Sequence, residues 1–128
     1  MLIGCPKEIK NQEYRVGMTP MAAFEAVSNG HSVIIEKNAG LGAGFPDEEY
    51  VAVGAGIVDT AAEIFARADM VVKVKEPQKV ERAQLREGQI LFTYLHLAPD
   101  APQTHDLLNS GVTAIAYETV TDRNGGLP

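Results

Sequence analysis

The sequence predicts an α/β domain built on a mostly parallel, doubly wound sheet with helices on both faces. Apolar runs of about four to seven residues alternate with amphipathic stretches of about eight to twelve, and turn residues separate nearly all of them. Several of the runs are rich in Val and Ile, as strands buried on both faces are. Strand, helix and strand recur with short connections, and right-handed crossovers then put helices on both sides of one sheet. The length of 128 residues suits one domain, without room for a second. With 45% hydrophobic and 22% charged residues the chain can fill a core and stay soluble. A chain of this size buries roughly two-thirds of its unfolded surface.

The first strand is read over Met1–Cys5. After a long loop, Thr19 caps a helix whose first position is Pro20, and Gly30 is its left-handed stop. The second strand is Ser32–Glu36. Gly40-Leu41-Gly42-Ala43-Gly44-Phe45 reads as a flexible turn, and Pro46-Asp47-Glu48-Glu49 opens a capped helix whose acidic start suits the helix dipole. Ile57–Val58 is the third and shortest strand, and Thr60 with Glu63 makes a capping box for the next helix. Met70–Lys75 and Gln89–Leu95 are the fourth and fifth strands. Asp100, Pro102 and Gly111 frame a helix over Ala101–Ser110, and Val112–Tyr117 is the sixth strand. Thr119–Pro128, with Asp122, Asn124, Gly125 and Gly126, reads as a loop. No internal repeat or low-complexity linker is present.

Seventeen acidic residues against eleven Lys plus Arg give a net charge of −6, with the basic residues scattered, which argues against nucleic acid as a partner. No apolar run approaches the roughly 18 residues of a membrane span, and no basic stretch leads an apolar N-terminus. The expected location is the cytoplasm. A single cysteine, Cys5, makes neither an internal disulfide nor a cysteine-rich metal site and reads as a small buried residue. His31 follows a helix stop and His105 lies within a helix, so both read as structural, and no histidine pair has the spacing of a zinc site. No metal is expected. Gly40-Leu41-Gly42-Ala43-Gly44 and Gly54-Ala55-Gly56 each lack the third glycine of the dinucleotide fingerprint, so neither is expected to hold a dinucleotide in the usual way.

In a parallel sheet the carboxyl ends of the strands share one edge, where ligands bind. Arg15 lies in the loop after the first strand, Lys75 closes the fourth, and His96 directly follows the fifth. A guanidinium holds a carboxylate by two parallel hydrogen bonds, an ammonium adds a compact charge, and an imidazole exchanges protons near neutral pH. Together they suit a small oxo- or amino-acid. The plainer reading of the same residues is that Arg15 and Lys75 are surface charges paired with Glu13 or Glu76, and that His96 is a hydrogen-bonded loop residue. Tyr94, two residues before His96, faces the same side by strand alternation, either lining the pocket or serving as a core aromatic.

Gly4-Cys5-Pro6-Lys7-Glu8, Asn11-Gln12-Glu13-Tyr14-Arg15-Val16 and Thr19-Pro20 resemble the opening of the alanine dehydrogenases, a group that includes the alpha subunit of pyridine nucleotide transhydrogenase. The resemblance continues through Gly40–Tyr50, Lys73-Val74-Lys75-Glu76-Pro77, Leu91–Pro99 and Ala116-Tyr117-Glu118-Thr119, essentially the whole chain. The transhydrogenase branch lacks the equivalents of Lys75 and His96, so the chain looks like the dehydrogenase branch. The resemblance implies a Rossmann-like substrate domain and NAD-dependent interconversion of L-alanine with pyruvate and ammonium. It also implies roles: Arg15 on the substrate carboxylate, Lys75 on the carboxylate or carbonyl oxygen, and His96 as proton donor and acceptor when water adds to the imino intermediate.

Members of that family are more than twice as long, so residues 1–128 correspond to the N-terminal part of the substrate domain. The dinucleotide fold, a returning C-terminal segment and a later acidic catalytic residue all lie outside it. The expectation is a chain with no cofactor-binding residues of its own that cannot transfer hydride alone. The family also implies a homo-oligomer, usually a hexamer. The competing readings are a transhydrogenase-like fragment and a stand-alone module that binds a small acid.

Overall fold

The computed structural model describes residues 1–128. Six strands, β1 (Leu2–Cys5), β2 (Ser32–Glu36), β3 (Gly56–Val58), β4 (Met70–Val72), β5 (Ile90–Thr93) and β6 (Thr113–Ala116), form one sheet in the order β3-β2-β1-β4-β5-β6. Every neighbouring pair is parallel, so the sheet is wholly rather than mostly so. Five helices connect it: α1 (Pro20–Ser28), α2 (Asp47–Ala52), α3 (Ala61–Arg67), α4 (Lys79–Arg82) and α5 (Ala101–Ser110).

Helix ends follow local chemistry. The Thr19 hydroxyl accepts from the Ala22 N–H at 3.2 Å, and the chain leaves α1 through Gly30 at φ 85°. Asp100 accepts from the Gln103 N–H at 3.0 Å, and Gly111 ends α5 in the left-handed region. At α3 only half of the capping box forms, because Glu63 takes the Thr60 hydroxyl instead of its N–H. At α2 the anticipated side-chain cap is absent: Pro46 offers none, and Asp47 instead accepts from the Asn38 N–H at 2.9 Å, closing the preceding turn.

The two faces of the sheet build two cores. On one, Ile34, Val58, Val71 and Leu91 pack under Ile64 and Phe65 of α3 and Leu107 of α5. On the other, Ile3, Cys5, Val33 and Ile35 pack under Ala23 of α1 and Tyr50 of α2. Gly4 lets α3 approach, since a Cβ there would stand 2.7 Å from Ile64 Cγ2 and 2.8 Å from Ala68 Cβ. Cys5 is fully buried and unpaired, and burial pushes its thiol up to about 12, which makes it inert. The second core reaches only as far as Val72 of β4: beyond it on the same face, Ile90, Phe92 and Ile115 are only half-buried, because no helix covers them.

Three strands end before their apolar runs do. β4 stops at Val72 rather than Lys75 because side chains take over the backbone groups beyond it. β5 runs from Ile90 to Thr93 rather than Gln89 to Leu95. The Gln89 side chain bonds the Phe65 and Ala68 carbonyls, and the Leu95 N–H turns to Glu118. β6 ends at Ala116, and Tyr117–Thr119 forms a 3-10 turn. Beyond Thr119 the chain is a loop, in which Asp122 accepts from the Asn124 and Gly126 N–H groups. The short α4 has no counterpart in the sequence reading.

Candidate functional site

The strand order reverses between β1 and β4, and the crevice outside the carboxyl ends of such a pair is where open α/β sheets bind ligands. Glu8, just after β1, reaches across this crevice. One of its oxygens accepts from the Val74 N–H at 2.6 Å and the other from Lys73 Nζ at 2.9 Å. Lys73 also meets Glu81 at 3.0 Å, and all three side chains are almost completely buried. Burial alone would depress the Lys73 pKa, but the charges of Glu81 and Glu8 outweigh it and hold it above its ordinary value. Two carboxylates share one ammonium, so one is under-neutralised: burial raises the Glu81 carboxyl despite the pull of Lys73.

This cluster anchors the bend that carries Lys75. The Val74 carbonyl accepts from the Tyr117 hydroxyl at 2.7 Å, and the Lys75 carbonyl from the Thr93 hydroxyl at 2.9 Å. The Lys75 side chain pairs with no carboxylate. Its Nζ lies 4.6 Å from the centroid of the Tyr94 ring, a cation–π contact. The Tyr94 ring stacks with the His96 imidazole at 5.6 Å and 12°. The structure therefore brings Lys75, Tyr94 and His96 into one continuous group, with Tyr94 as its platform rather than a core aromatic.

His96 is exposed and sits at φ 47°, a left-handed conformation that costs a non-glycine residue about 1–2 kcal/mol. One Glu118 oxygen holds that turn, accepting from the N–H of Leu95 at 3.0 Å and of His96 at 2.9 Å. Burial pushes the Glu118 carboxyl up, but the N–H groups of His96, Glu118 itself and Leu95 pull it below its ordinary value, so it stays ionised.

Arg15 stands apart from this group. Its guanidinium grips Glu13 through two bonds of 2.6 and 2.9 Å, as in the plainer sequence reading, whereas Glu76 is paired with Lys10 and not with Lys75. Arg15 holds the Glu13 carboxyl below its ordinary value, and the more distant charge of Lys75 adds to that pull. Both residues line a cleft of about 450 Å³ under the loop that follows β1, which does not reach Lys75, Tyr94 or His96. The Arg15 side chain remains two-thirds exposed, at 67%.

The glycine run does not fit a dinucleotide. Leu41–Ala43 is a 3-10 turn, and the Tyr14 backbone oxygen lies 2.9 Å from where a Gly42 Cβ would be, so the chain itself fills that side. Three carboxylates then open α2 where pyrophosphate would need positive potential, and at the crevice Glu8 already takes the free Val74 N–H. His31 Nδ1 accepts from the chain's own N-terminal ammonium at 3.3 Å, and His105 is exposed on α5. No three His, Cys, Asp or Glu side chains come together to hold a metal.

Sequence reasoning gave no role to Glu8, Lys73, Glu81, Tyr117 or Glu118. The usable signal was Lys73 itself, since a lysine between Val72 and Val74 in a buried run needs a carboxylate partner. A family model described as alanine dehydrogenase/PNT, N-terminal domain, matches residues 4–128. The chain is 57% identical over 128 residues to the alanine dehydrogenase of Methanococcus maripaludis, covering 100% of this chain and 34% of that protein. It resembles a solved L-alanine dehydrogenase at 52% identity and TM-score 0.96, covering 100% of this chain and 35% of that one. A transhydrogenase from Sinorhizobium meliloti follows at 28% and 0.88, covering 96% and 35%. The chain thus spans about a third of the length of the relatives it matches, and the match runs over nearly all of it. On that match the chain belongs to the alanine dehydrogenase/PNT N-terminal domain family.

Proposed function

We propose that residues 1–128 supply the substrate half of an active site that interconverts L-alanine with pyruvate and ammonium. The observation that carries this reading is the group Lys75, Tyr94 and His96 at the carboxyl edge beside the β1/β4 crevice: an ammonium without a carboxylate partner, next to an exposed imidazole. Such a pair suits an oxo-acid, with Lys75 drawing electron density toward the carbonyl oxygen and His96 passing the proton when water adds or leaves. Arg15 binds the substrate carboxylate by exchanging Glu13 for it, the same two-bond geometry serving both.

NAD supplies the hydride acceptor in this reading, and the glycine turn of these residues does not fit it, so residues 1–128 by themselves are inactive in hydride transfer. We place the reaction in the cytoplasm and in a homo-oligomer. No helix is long and apolar enough to cross a membrane, and the half-buried face of β4–β6 offers apolar surface for association.

Amide NMR of the chain titrated with pyruvate tests the half-site. Saturable shifts around Arg15, Lys75 and His96 that vanish in Lys75→Ala support it. A well-folded spectrum unmoved by pyruvate overturns it.

A further inference from the structure

We propose that Tyr117 and Glu118 form a positioning clamp that sets the backbones of both Lys75 and His96, so that a single short turn holds the two reactive side chains in register. The inference deepens the proposed function and rests on its assignment of Lys75 and His96.

The two residues are adjacent in the turn after β6, yet they grip different strands' extensions. The Tyr117 hydroxyl donates to the carbonyl of Val74, the residue before Lys75, while Glu118 takes the N–H groups of Leu95 and His96. Both segments lie just past the ends of β4 and β5, where the ladder no longer fixes the backbone. At His96 the need is greatest, because a left-handed turn at a non-glycine residue persists only where its surroundings enforce it. A charged acceptor shared by two successive N–H groups does that, and the lowered pKa of Glu118 keeps it charged at neutral pH. The Tyr117 ring is further braced by Phe92 of β5, 5.5 Å away between centroids. The clamp therefore couples the ends of β4 and β5 through an element that need not touch substrate.

Chemistry separates the two arms. Glu118→Gln keeps one acceptor oxygen and removes the charge, Glu118→Ala removes the acceptor, and Tyr117→Phe removes the hydroxyl that bonds Val74. In the wild-type chain, a strong intraresidue NOE between the amide and α protons reports positive φ at His96. It is expected to persist in Glu118→Gln and Tyr117→Phe and to weaken in Glu118→Ala. Pyruvate binding is expected to fall about tenfold in Glu118→Ala, which leaves the Leu95 and His96 N–H groups without their shared acceptor, and to recover most of that in Glu118→Gln. Tyr117→Phe should move the Val74 and Lys75 amides and leave the His96 NOE in place.

The clamp is overturned if Glu118→Ala keeps the His96 NOE and binds pyruvate as the wild type does. It is equally overturned if Glu118→Gln loses as much as Glu118→Ala, or if Tyr117→Phe leaves Val74 and Lys75 undisturbed. Should Glu118→Ala fail to fold, the clamp is overturned if Glu118→Gln loses the His96 NOE and about tenfold in pyruvate binding, or if Tyr117→Phe leaves Val74 and Lys75 undisturbed. A wild-type chain that ignores pyruvate while showing the NOE pattern sinks the proposed function and leaves the clamp standing.

Discussion

The two halves of the sheet are held by different physics. Around β1–β3, both faces are covered, by α1 and α2 on one side and α3 on the other, and the residues between them are buried aliphatic or aromatic. Around β4–β6 one face is covered and the other leaves Ile90, Phe92 and Ile115 half-exposed. What fixes the strand ends there is a set of side chains bonded to backbone: Glu8 to Val74, Thr93 to Lys75, Tyr117 to Val74, Glu118 to His96 and Gln103 to Leu95. Packing tolerates small shifts because dispersion falls off gradually, whereas a hydrogen bond demands distance and direction together. The half that carries Lys75, Tyr94 and His96 thus leans more on such bonds, although Glu36 to Lys7, Asp47 to Asn38 and Tyr50 to Met18 do the same around β1–β3.

The sharpest way to break this contrast is at Lys73. Lys73→Met strands two buried carboxylates without a counter-charge, and the expected loss is about 3–5 kcal/mol by urea denaturation. A variant as stable as the wild type would mean that packing holds both halves. Next in size is a matched pair of aliphatic truncations. Ile35→Ala, fully buried under α1 and α2, should lose about 3 kcal/mol, whereas Ile115→Ala on the half-open face should lose about 1 kcal/mol. Equal losses would show that the second face is covered in solution.

Acid and neutral stability sharpen the comparison further. Glu81 stands above its ordinary value of 4.5, so the fold holds that proton more tightly than the unfolded chain does. Its contribution is full below 4.5 and is lost as pH rises through the raised value. Glu118 stands below 4.5, so its contribution is present above 4.5 and lost as pH falls through the lowered value. Glu81→Gln should therefore flatten the decline in urea midpoint above pH 4.5 and leave the acid limb unchanged. A decline of unchanged slope would remove Glu81 as its source. The smallest expected effect is at Arg15: Glu13→Gln releases its guanidinium, and pyruvate should bind about two- to fivefold more tightly, the worth of an exposed ion pair. Weaker binding would make Glu13 a support for Arg15 rather than a competitor.

The same contrast explains what could be read from the chain. Where packing dominates, the pattern of Val and Ile was enough to place β2 residue for residue, and on the covered face of β4–β6 Asp100 and Gly111 did the same for α5. Where polar bonds dominate, the pattern was not enough. The apolar run Met70–Lys75 looks like a single strand because alternation says nothing of Glu8, 65 residues away from Lys73, entering the ladder. His96 and Lys75 were legible as a pair because both follow strand ends on one edge; Tyr94 joins them through its ring stack and cation–π contact rather than by alternation, since β5 ends at Thr93. Tyr117 escaped because it reads as one more strand residue, and α4 because its capping bond, from the Gln78 N–H to Glu81, belongs to four residues with little apolar pattern.

Amide hydrogen exchange at Val74, Leu95 and His96 shows whether side chains fix the strand ends, since none of these N–H groups belongs to the sheet ladder and each ends on a carboxylate. Protection comparable to that of ladder amides such as Leu91 is expected, despite the half-open face beside them. Exchange at the rate of an unstructured loop would contradict it, and would mean that the site is ordered only when something else covers that face.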